Sequence, residues 1–228
     1  MARILAEYIW LGPEREKQEL TETAQRPRSK ARVLAEVPND IKDVPVWRFD
    51  GSSTGQASGN ASDLLLKPVC MTPDPLRGEE NILVLCTVLN PDGSPHSHNT
   101  RHWAADATQR FVRYEPWLGF EQEFTLFNLN GLPLCANATD NTLPPQFKQY
   151  CSVGADRAFG RAIIEEHTRL CLAAGLSIAG INGEVMGGQW EFQIGPIVGE
   201  EEPKSALDTC DDLWLARWLL HRVAEKHG

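Results

Sequence analysis

Residues 182–193 run Asn182-Gly183-Glu184-Val185-Met186-Gly187-Gly188-Gln189-Trp190-Glu191-Phe192-Gln193, two strand-like segments joined by a glycine pair. A two-residue turn at Gly187-Gly188 predicts Met186 opposite Gln189, Val185 opposite Trp190 and Glu184 opposite Glu191. Carboxylates placed directly across a ladder repel each other unless a cation lies between them. A second acidic pair stands upstream in Trp117-Leu118-Gly119-Phe120-Glu121-Gln122-Glu123-Phe124-Thr125-Leu126-Phe127. Side chains alternate along a strand, so Glu121 and Glu123 project to one side. An isolated Glu-x-Glu on a strand is usually a solvated face. Here the neighbours include Phe120, Phe124, Trp190 and Phe192, and neither cluster contains Lys or Arg. Carboxylates among that much aromatic surface must be paired, protonated or metal-bound. Hard oxygen donors with few Cys or His partners point to Mg²⁺ or Mn²⁺ rather than zinc. Glu121, Glu123, Glu184 and Glu191 are therefore the candidate metal ligands.

Working outward, residues 1 to about 100 carry strand signals at 3–11, 29–37, 46–50, 63–69 and 81–89, separated by Gly, Pro and Asn/Asp turns. The small polar stretch 51–60 reads either as a flexible linker or as a loop held on a scaffold behind Trp47 and Phe49. A helix is predicted over 100–113, with Trp103, Ala107, Arg110 and Phe111 on helical spacing. A second is predicted over 156–174, capped by Asp156, with Phe159, Ile163, Leu170 and Ala174 as its apolar stripe. A third is predicted over 205–226, where Ser205-x-x-Asp208 resembles a capping box and Leu207, Cys210, Trp214 and Trp218 face inward. Residues 128–153 form a long Pro- and Asn-containing loop of the kind that covers a site.

Composition narrows the function classes. A net charge of -9 argues against a nucleic-acid partner. No apolar run is long enough for a membrane helix, and Glu7 falls where a signal peptide needs its apolar stretch, so a cytoplasmic location is expected. The six cysteines contain no C-x-x-C and read as small buried hydrophobes. The histidines, among them His96, His98, His167, His221 and His227, read as solvated or core-edge residues.

Five stretches together resemble the eukaryotic-type (type II) glutamine synthetase family. They are Trp47-Arg48-Phe49-Asp50-Gly51-Ser52-Ser53-Thr54-Gly55; Glu115-Pro116-Trp117 leading into residues 119–126; Gly154-Ala155-Asp156-Arg157-Ala158-Phe159-Gly160-Arg161; residues 182–186 with 189–196; and Leu213-Trp214-Leu215-Ala216-Arg217 with Leu220-His221-Arg222-Val223. They occur in the family's order over nearly the whole chain. The resemblance implies an α+β fold, with a β-grasp domain at 1–98 and the N-terminal part of a catalytic domain, a curved antiparallel sheet with helices, at 99–228. It implies ATP-dependent ligation of ammonium to L-glutamate through γ-glutamyl phosphate, in a homo-oligomer whose sites lie between subunits. By motif, Glu123, Glu184 and Glu191 resemble the ligands of one metal, and Glu121 a ligand of the metal nearer the nucleotide. Glu191, Phe192, Gln193, Ile194, Gly195 and Pro196 resemble a segment that lies along ATP. Asp50 and Ser53 resemble residues that complete the ammonium site, Asp50 favouring NH₄⁺ and helping to take its proton.

There are departures from the family pattern. Gly187 stands where the family usually has Pro, which is expected to loosen the hairpin tip. Residues 146–152 replace a more glycine-rich stretch, and the connector 198–212 looks longer than usual. The family continues beyond the position of Gly228 with a His and a Glu metal ligand and several arginines, so the resemblance implies a C-terminally incomplete chain with little synthetase activity by itself. The alternatives are a truncated metal- or nucleotide-binding or regulatory relative, and a γ-glutamyl ligase for another amine.

Overall fold

In a computed structural model, residues 3–16, 19–78, 80–196 and 204–228 are described. Residues 198–203 of the 198–212 connector thus lie outside the described residues. The chain divides into two compact units, Met1–Pro116 and Trp117–Gly228.

The first unit is built on β1 (Ile4–Glu16), β2 (Glu19–Leu34), β3 (Trp47–Asp50), β4 (Asp63–Pro73) and β5 (Ile82–Leu89), in the sheet order β2-β1-β5-β4-β3. Its central pair β1–β5 is parallel and the other pairs are antiparallel. The prolines sit where a missing N–H does least harm: Pro27 on the edge strand β2, and Pro68 where β4 bulges. Alternate residues of β1 (Ile4, Ala6, Tyr8 and Trp10) enter one core with Phe49, Leu66, Val84 and Val88. Tyr8 stands edge-on to Trp47 with centroids 5.3 Å apart, and its hydroxyl donates to the Pro45 carbonyl at 2.7 Å. The stretch after β3 is a packed loop rather than a flexible linker. Gly51 N–H bonds the Ser62 carbonyl at 2.7 Å, and a Cβ on Gly51 would be 2.6 Å from Leu64 Cδ1. Helix α1 (Thr100–Phe111) forms as predicted and is capped by Asn99, but its apolar stripe buries nothing: Trp103 and Phe111 are 62% and 55% exposed.

The second unit holds β6 (Phe120–Thr125), β7 (Ile178–Gly183) and β8 (Gln189–Ile194), antiparallel in the order β6-β8-β7, with α2 (Arg161–Ala173) and α3 (Ala206–His227). α2 starts later than predicted because Gly154 (φ 122°) and Gly160 (φ 81°) hold the preceding segment in turns. It ends at Gly175 (φ 70°), where Leu176 N–H bonds back to the Cys171 carbonyl at 3.0 Å. Ser205 caps α3, its hydroxyl oxygen accepting from Asp208 N–H at 3.2 Å. Trp218 is buried as predicted, but the rest of the buried face is carried by Thr209, Asp212, Leu215, Ala216, Leu219 and Val223 instead of Leu207, Cys210 and Trp214. Asp212 belongs there because its Oδ2 accepts from Ser177 N–H (2.8 Å), Ser177 Oγ (2.5 Å) and Lys204 Nζ (2.7 Å).

His167 on α2 is not solvated but wholly buried, its ring 4.8 Å from that of Phe192. Its Nε2 lies 2.9 Å from the Ala216 carbonyl and 3.2 Å from Cys171 Sγ, whereas Nδ1 has no partner. A proton on Nε2 donated to Ala216 satisfies the carbonyl and leaves only a lone pair unmet. Burial pushes the imidazole pKa down to about 4. The unfolded chain therefore takes up this proton near its ordinary value, about 6.5, while the fold resists it. Stability is complete above pH ~6.5 and falls as pH drops towards 4, by at most about 3 kcal/mol. Denaturant melts of wild type and His167→Leu from pH 7.5 to 4.5 check this: the variant should lose most of the acid sensitivity.

Candidate metal and nucleotide site

The ladder assigns the facing carboxylates differently from the turn-based prediction. β8 lies between β6 and β7, with Glu123 opposite Glu191 on one side and Asn182 opposite Glu191 on the other. Glu184 instead meets Gln189, whose carbonyl accepts Glu184 N–H at 2.9 Å, and Gln189 N–H bonds the Met186 carbonyl at 3.0 Å. Gly187-Gly188 thus form the centre of a turn closed between Met186 and Gln189, inside a four-residue loop, 185–188, that joins Glu184 to Gln189. A two-residue type I′ turn needs positive φ at both central positions, and only Gly188 (φ 77°) has it. The slip moves Glu184 along the ladder by two positions, which keeps it on the same face. The like-charge confrontation exists, but it is between Glu123 and Glu191.

One face of this sheet carries Glu121, Glu123, Gln189, Glu191, Gln193, Asn182 and Glu184; the other carries Phe120, Phe124, Trp190, Phe192 and Ile194. Glu191 is 8% exposed, while Glu121 and Glu123 are open to solvent. The partners of these carboxylates are amides. Gln189 Nε2 donates to Glu123 Oε2 at 2.6 Å, Asn182 Nδ2 to Glu184 Oε1 at 2.9 Å, and Gln193 Nε2 to Glu191 Oε1. None of the four glutamates forms an ion pair with Lys or Arg among the described residues. The donor set suits a hard cation: all oxygen, one face, one member desolvated, no counter-ion. The side chains do not converge on one point. Among the described residues no three acidic, His or Cys groups come within chelating reach.

The segment expected along a nucleotide is divided by the sheet. Phe192 and Ile194 are fully buried on the apolar face, so their side chains serve the core. Gln193 faces the carboxylates, and Gly195-Pro196 ends the strand, with Gly195 N–H bonded to the Ser177 carbonyl at 2.7 Å.

Several residues beside this face carried no signal in sequence reasoning. The amides Asn182 and Gln189 are short polar side chains on a strand, and only the register shows what they hold. Tyr150 lies near enough that its phenol pKa is raised, first by Cys151 and then by Glu184 and Glu191. It is brought there because residues 147–151 run along the hairpin, with Phe147 N–H bonded to the Val185 carbonyl and Cys151 N–H to the Gly183 carbonyl, each at 3.0 Å. The long loop does lie against the candidate site.

Two family models match the chain. The glutamine synthetase β-grasp domain matches residues 18–91, and the glutamine synthetase catalytic domain matches residues 97–228. The chain belongs to the glutamine synthetase family. It is 49% identical over 221 residues to a glutamine synthetase of Streptomyces viridochromogenes, covering 96% of this chain and 60% of that protein. It is 46% identical over 226 residues to the glutamine synthetase of Tuber borchii, covering 99% and 58%. The chain therefore spans about three fifths of the length of these curated relatives. A solved structure titled "GmaS/ADP complex-Conformation 1" shares the fold, with a TM-score of 0.64 at 20% identity over 97% of this chain and 47% of that one.

In the β-grasp unit of this synthetase-family chain, Asp50 and Ser53 are brought together. Asp50 Oδ1 accepts from Ser52 N–H (3.0 Å) and Ser52 Oγ (2.6 Å), and Oδ2 accepts from Ser53 Oγ (2.7 Å). Donation by the two hydroxyls, then by the Ser52 amide, holds the carboxyl pKa down to about 2. Asp50 is thus an exposed group, ionised at neutral pH, and a weak base.

The hairpin tip is not loosened by Gly187; it is filled from the side. A Cβ at Gly187 would lie 2.3 Å from Cys135 Cβ and 2.5 Å from Gln149 Nε2, both on the long loop. Gly187→Pro, which restores the family's usual residue, is expected to destabilise this unit by about 1–3 kcal/mol through overpacking. Equilibrium denaturation would show it; an unchanged midpoint would mean that the loop yields without cost.

Proposed function

We propose that this protein serves as a glutamate–ammonia ligase, with L-glutamate, ammonium and ATP as substrates and Mg²⁺ or Mn²⁺ as its metal. The observation that carries this reading is the Glu123–Glu191 confrontation on a face that also bears Glu121 and Glu184, in a chain of the glutamine synthetase family. Glu123, Glu184 and Glu191 would hold one ion and Glu121 a second nearer the nucleotide. Bound there, the metals would neutralise charge on the transferring phosphoryl group. The reaction class is phosphoryl transfer followed by acyl substitution. The side-chain carboxylate of glutamate attacks the γ-phosphorus of ATP and ADP leaves; ammonia then attacks the acyl carbon and phosphate leaves. Gly195 and Pro196, which follow β8, are only half-buried, which supports contact of this end of the segment with ATP. Asp50, ionised and a weak base, supports attraction of NH₄⁺ more than removal of its proton. Completion of the ammonium site by Asp50 and Ser53 of a neighbouring copy in a homo-oligomer, and a cytoplasmic location, belong to the same reading. Calorimetric titration of the chain with ATP, with and without Mn²⁺, tests it. Mn²⁺-dependent binding is expected; ATP binding indifferent to Mn²⁺, or none at all, would overturn the assignment.

A further inference from the structure

The carboxylates on the site face are not independent of one another. Gln193 Nε2 donates both to Glu191 Oε1 and to Asn182 Oδ1 (2.7 Å), and Asn182 Nδ2 donates on to Glu184 Oε1 (2.9 Å). Two amides thus tie glutamates on β8 and on the β7 side of the hairpin into one chain: Glu191, Gln193, Asn182, Glu184. Both links depend on an absent side chain. Gly180 stands opposite Gln193 in the ladder, and a Cβ there would be 2.7 Å from Gln193 Oε1. The Gln193 amide lies across β7 because residue 180 has nothing to put in its way. Gly180 does not have the positive φ that would require glycine for the backbone, so its value at this position is the room it leaves.

We propose that Gln193 is a positioning residue for the cation site: seated over Gly180, it fixes the Glu191 carboxylate directly and Glu184 through Asn182. Its motif resemblance suggests a nucleotide contact, but its side-chain amide is spent on these two partners. Hydrogen bonds of this kind set the orientation of a ligating oxygen before the ion arrives, and losing one typically lowers metal affinity by about 10- to 100-fold. The inference rests on the metal reading above and extends it to residues that touch no ion.

The test needs no turnover. Mn²⁺ binding to the chain is followed by the loss of the free-ion electron paramagnetic resonance signal, alongside thermal melts, for wild type, Gly180→Ala, Gln193→Leu and the double variant. Gly180→Ala keeps every polar group and a permitted backbone, and displaces only the flexible end of Gln193. Each single variant is expected to bind Mn²⁺ about 10-fold or more weakly at an unchanged melting midpoint. The double variant should be no worse than Gln193→Leu, because both act through one contact. Wild-type binding with both single variants equally tight would overturn the positioning role and leave the metal site standing. No Mn²⁺ binding by wild type would overturn both.

Discussion

Arg77→Ala is expected to remove about 3–5 kcal/mol from the stability of the β-grasp unit. Arg77 Nη2 lies 2.8 Å from Glu7 Oε2 and Nη1 lies 2.7 Å from Asp74 Oδ2, where the side chains are 27%, 5% and 0% exposed respectively. One guanidinium thus serves two desolvated carboxylates that are far apart in the chain, Glu7 on β1 and Asp74 just after β4. Asp74 also accepts from Leu76 N–H at 2.9 Å, which shapes the turn that carries the arginine. Truncating Arg77 leaves both acids buried without a cation, and the cost is their desolvation rather than the lost attraction. Chemical denaturation of the purified chain reads it. Glu7→Leu combined with Arg77→Met should recover only the part of the loss that Glu7 contributes, because Asp74 stays buried without its cation. A loss below about 1 kcal/mol for Arg77→Ala would place the triad with ordinary surface pairs.

The second large effect has two parts of opposite sign. Glu191→Gln removes one of two like charges that face each other across β6 and β8 without changing side-chain shape. Metal-free, the variant should be slightly more stable than wild type, by up to about 1 kcal/mol, because cross-strand repulsion is relieved. In the presence of Mn²⁺, ion binding and the ATP binding that depends on it should fall by on the order of 100-fold, since an ionised ligand counts for at least as much as the groups that orient it. A variant that is both less stable and metal-competent would mean that Glu191 is simply a packed polar residue. Greater stability together with lost metal affinity is the signature of a carboxylate kept for a cation.

Legibility varied with the range of the interactions involved. All five strands of the first unit were expected from local alternation and turn residues. β3 and β5 fall within a residue of expectation, but β2 begins ten residues earlier than expected and β1 and β4 run on past their expected ends. The packed loop after β3 was one of two readings, and it took Leu64 and Ala57 against Gly51 to decide between them. Helix limits missed where glycines with positive φ overrode a plausible cap, as at Asp156. The buried faces of α2 and α3 were legible only in part. Leu170, Ala174 and Trp218 are buried as expected, but Phe159 and Ile163 are only half-buried, and His167 and Asp212 are drawn in by Phe192 and Ser177, which their own helices do not signal. His167 looked like an edge residue because nothing in its own helix signals that the Ala216 carbonyl will meet it.

The acidic site shows the same division. That Glu121 and Glu123 share a face, that Glu191 and Gln193 share one, and that glutamate should oppose glutamate somewhere were all written in the residue order, because a strand alternates with a period of two whatever surrounds it. Which glutamate opposes which was settled by the sheet order β6-β8-β7 and by Cys135 and Gln149 packing against Gly187, contacts from a loop that local pattern does not reach. The amide chain through Gln193, and the space over Gly180 that admits it, exist only once β7 is laid beside β8. Residue spacing decides which way a side chain points; which neighbour it meets depends on long-range packing, and in this protein that choice sets the geometry of the carboxylates.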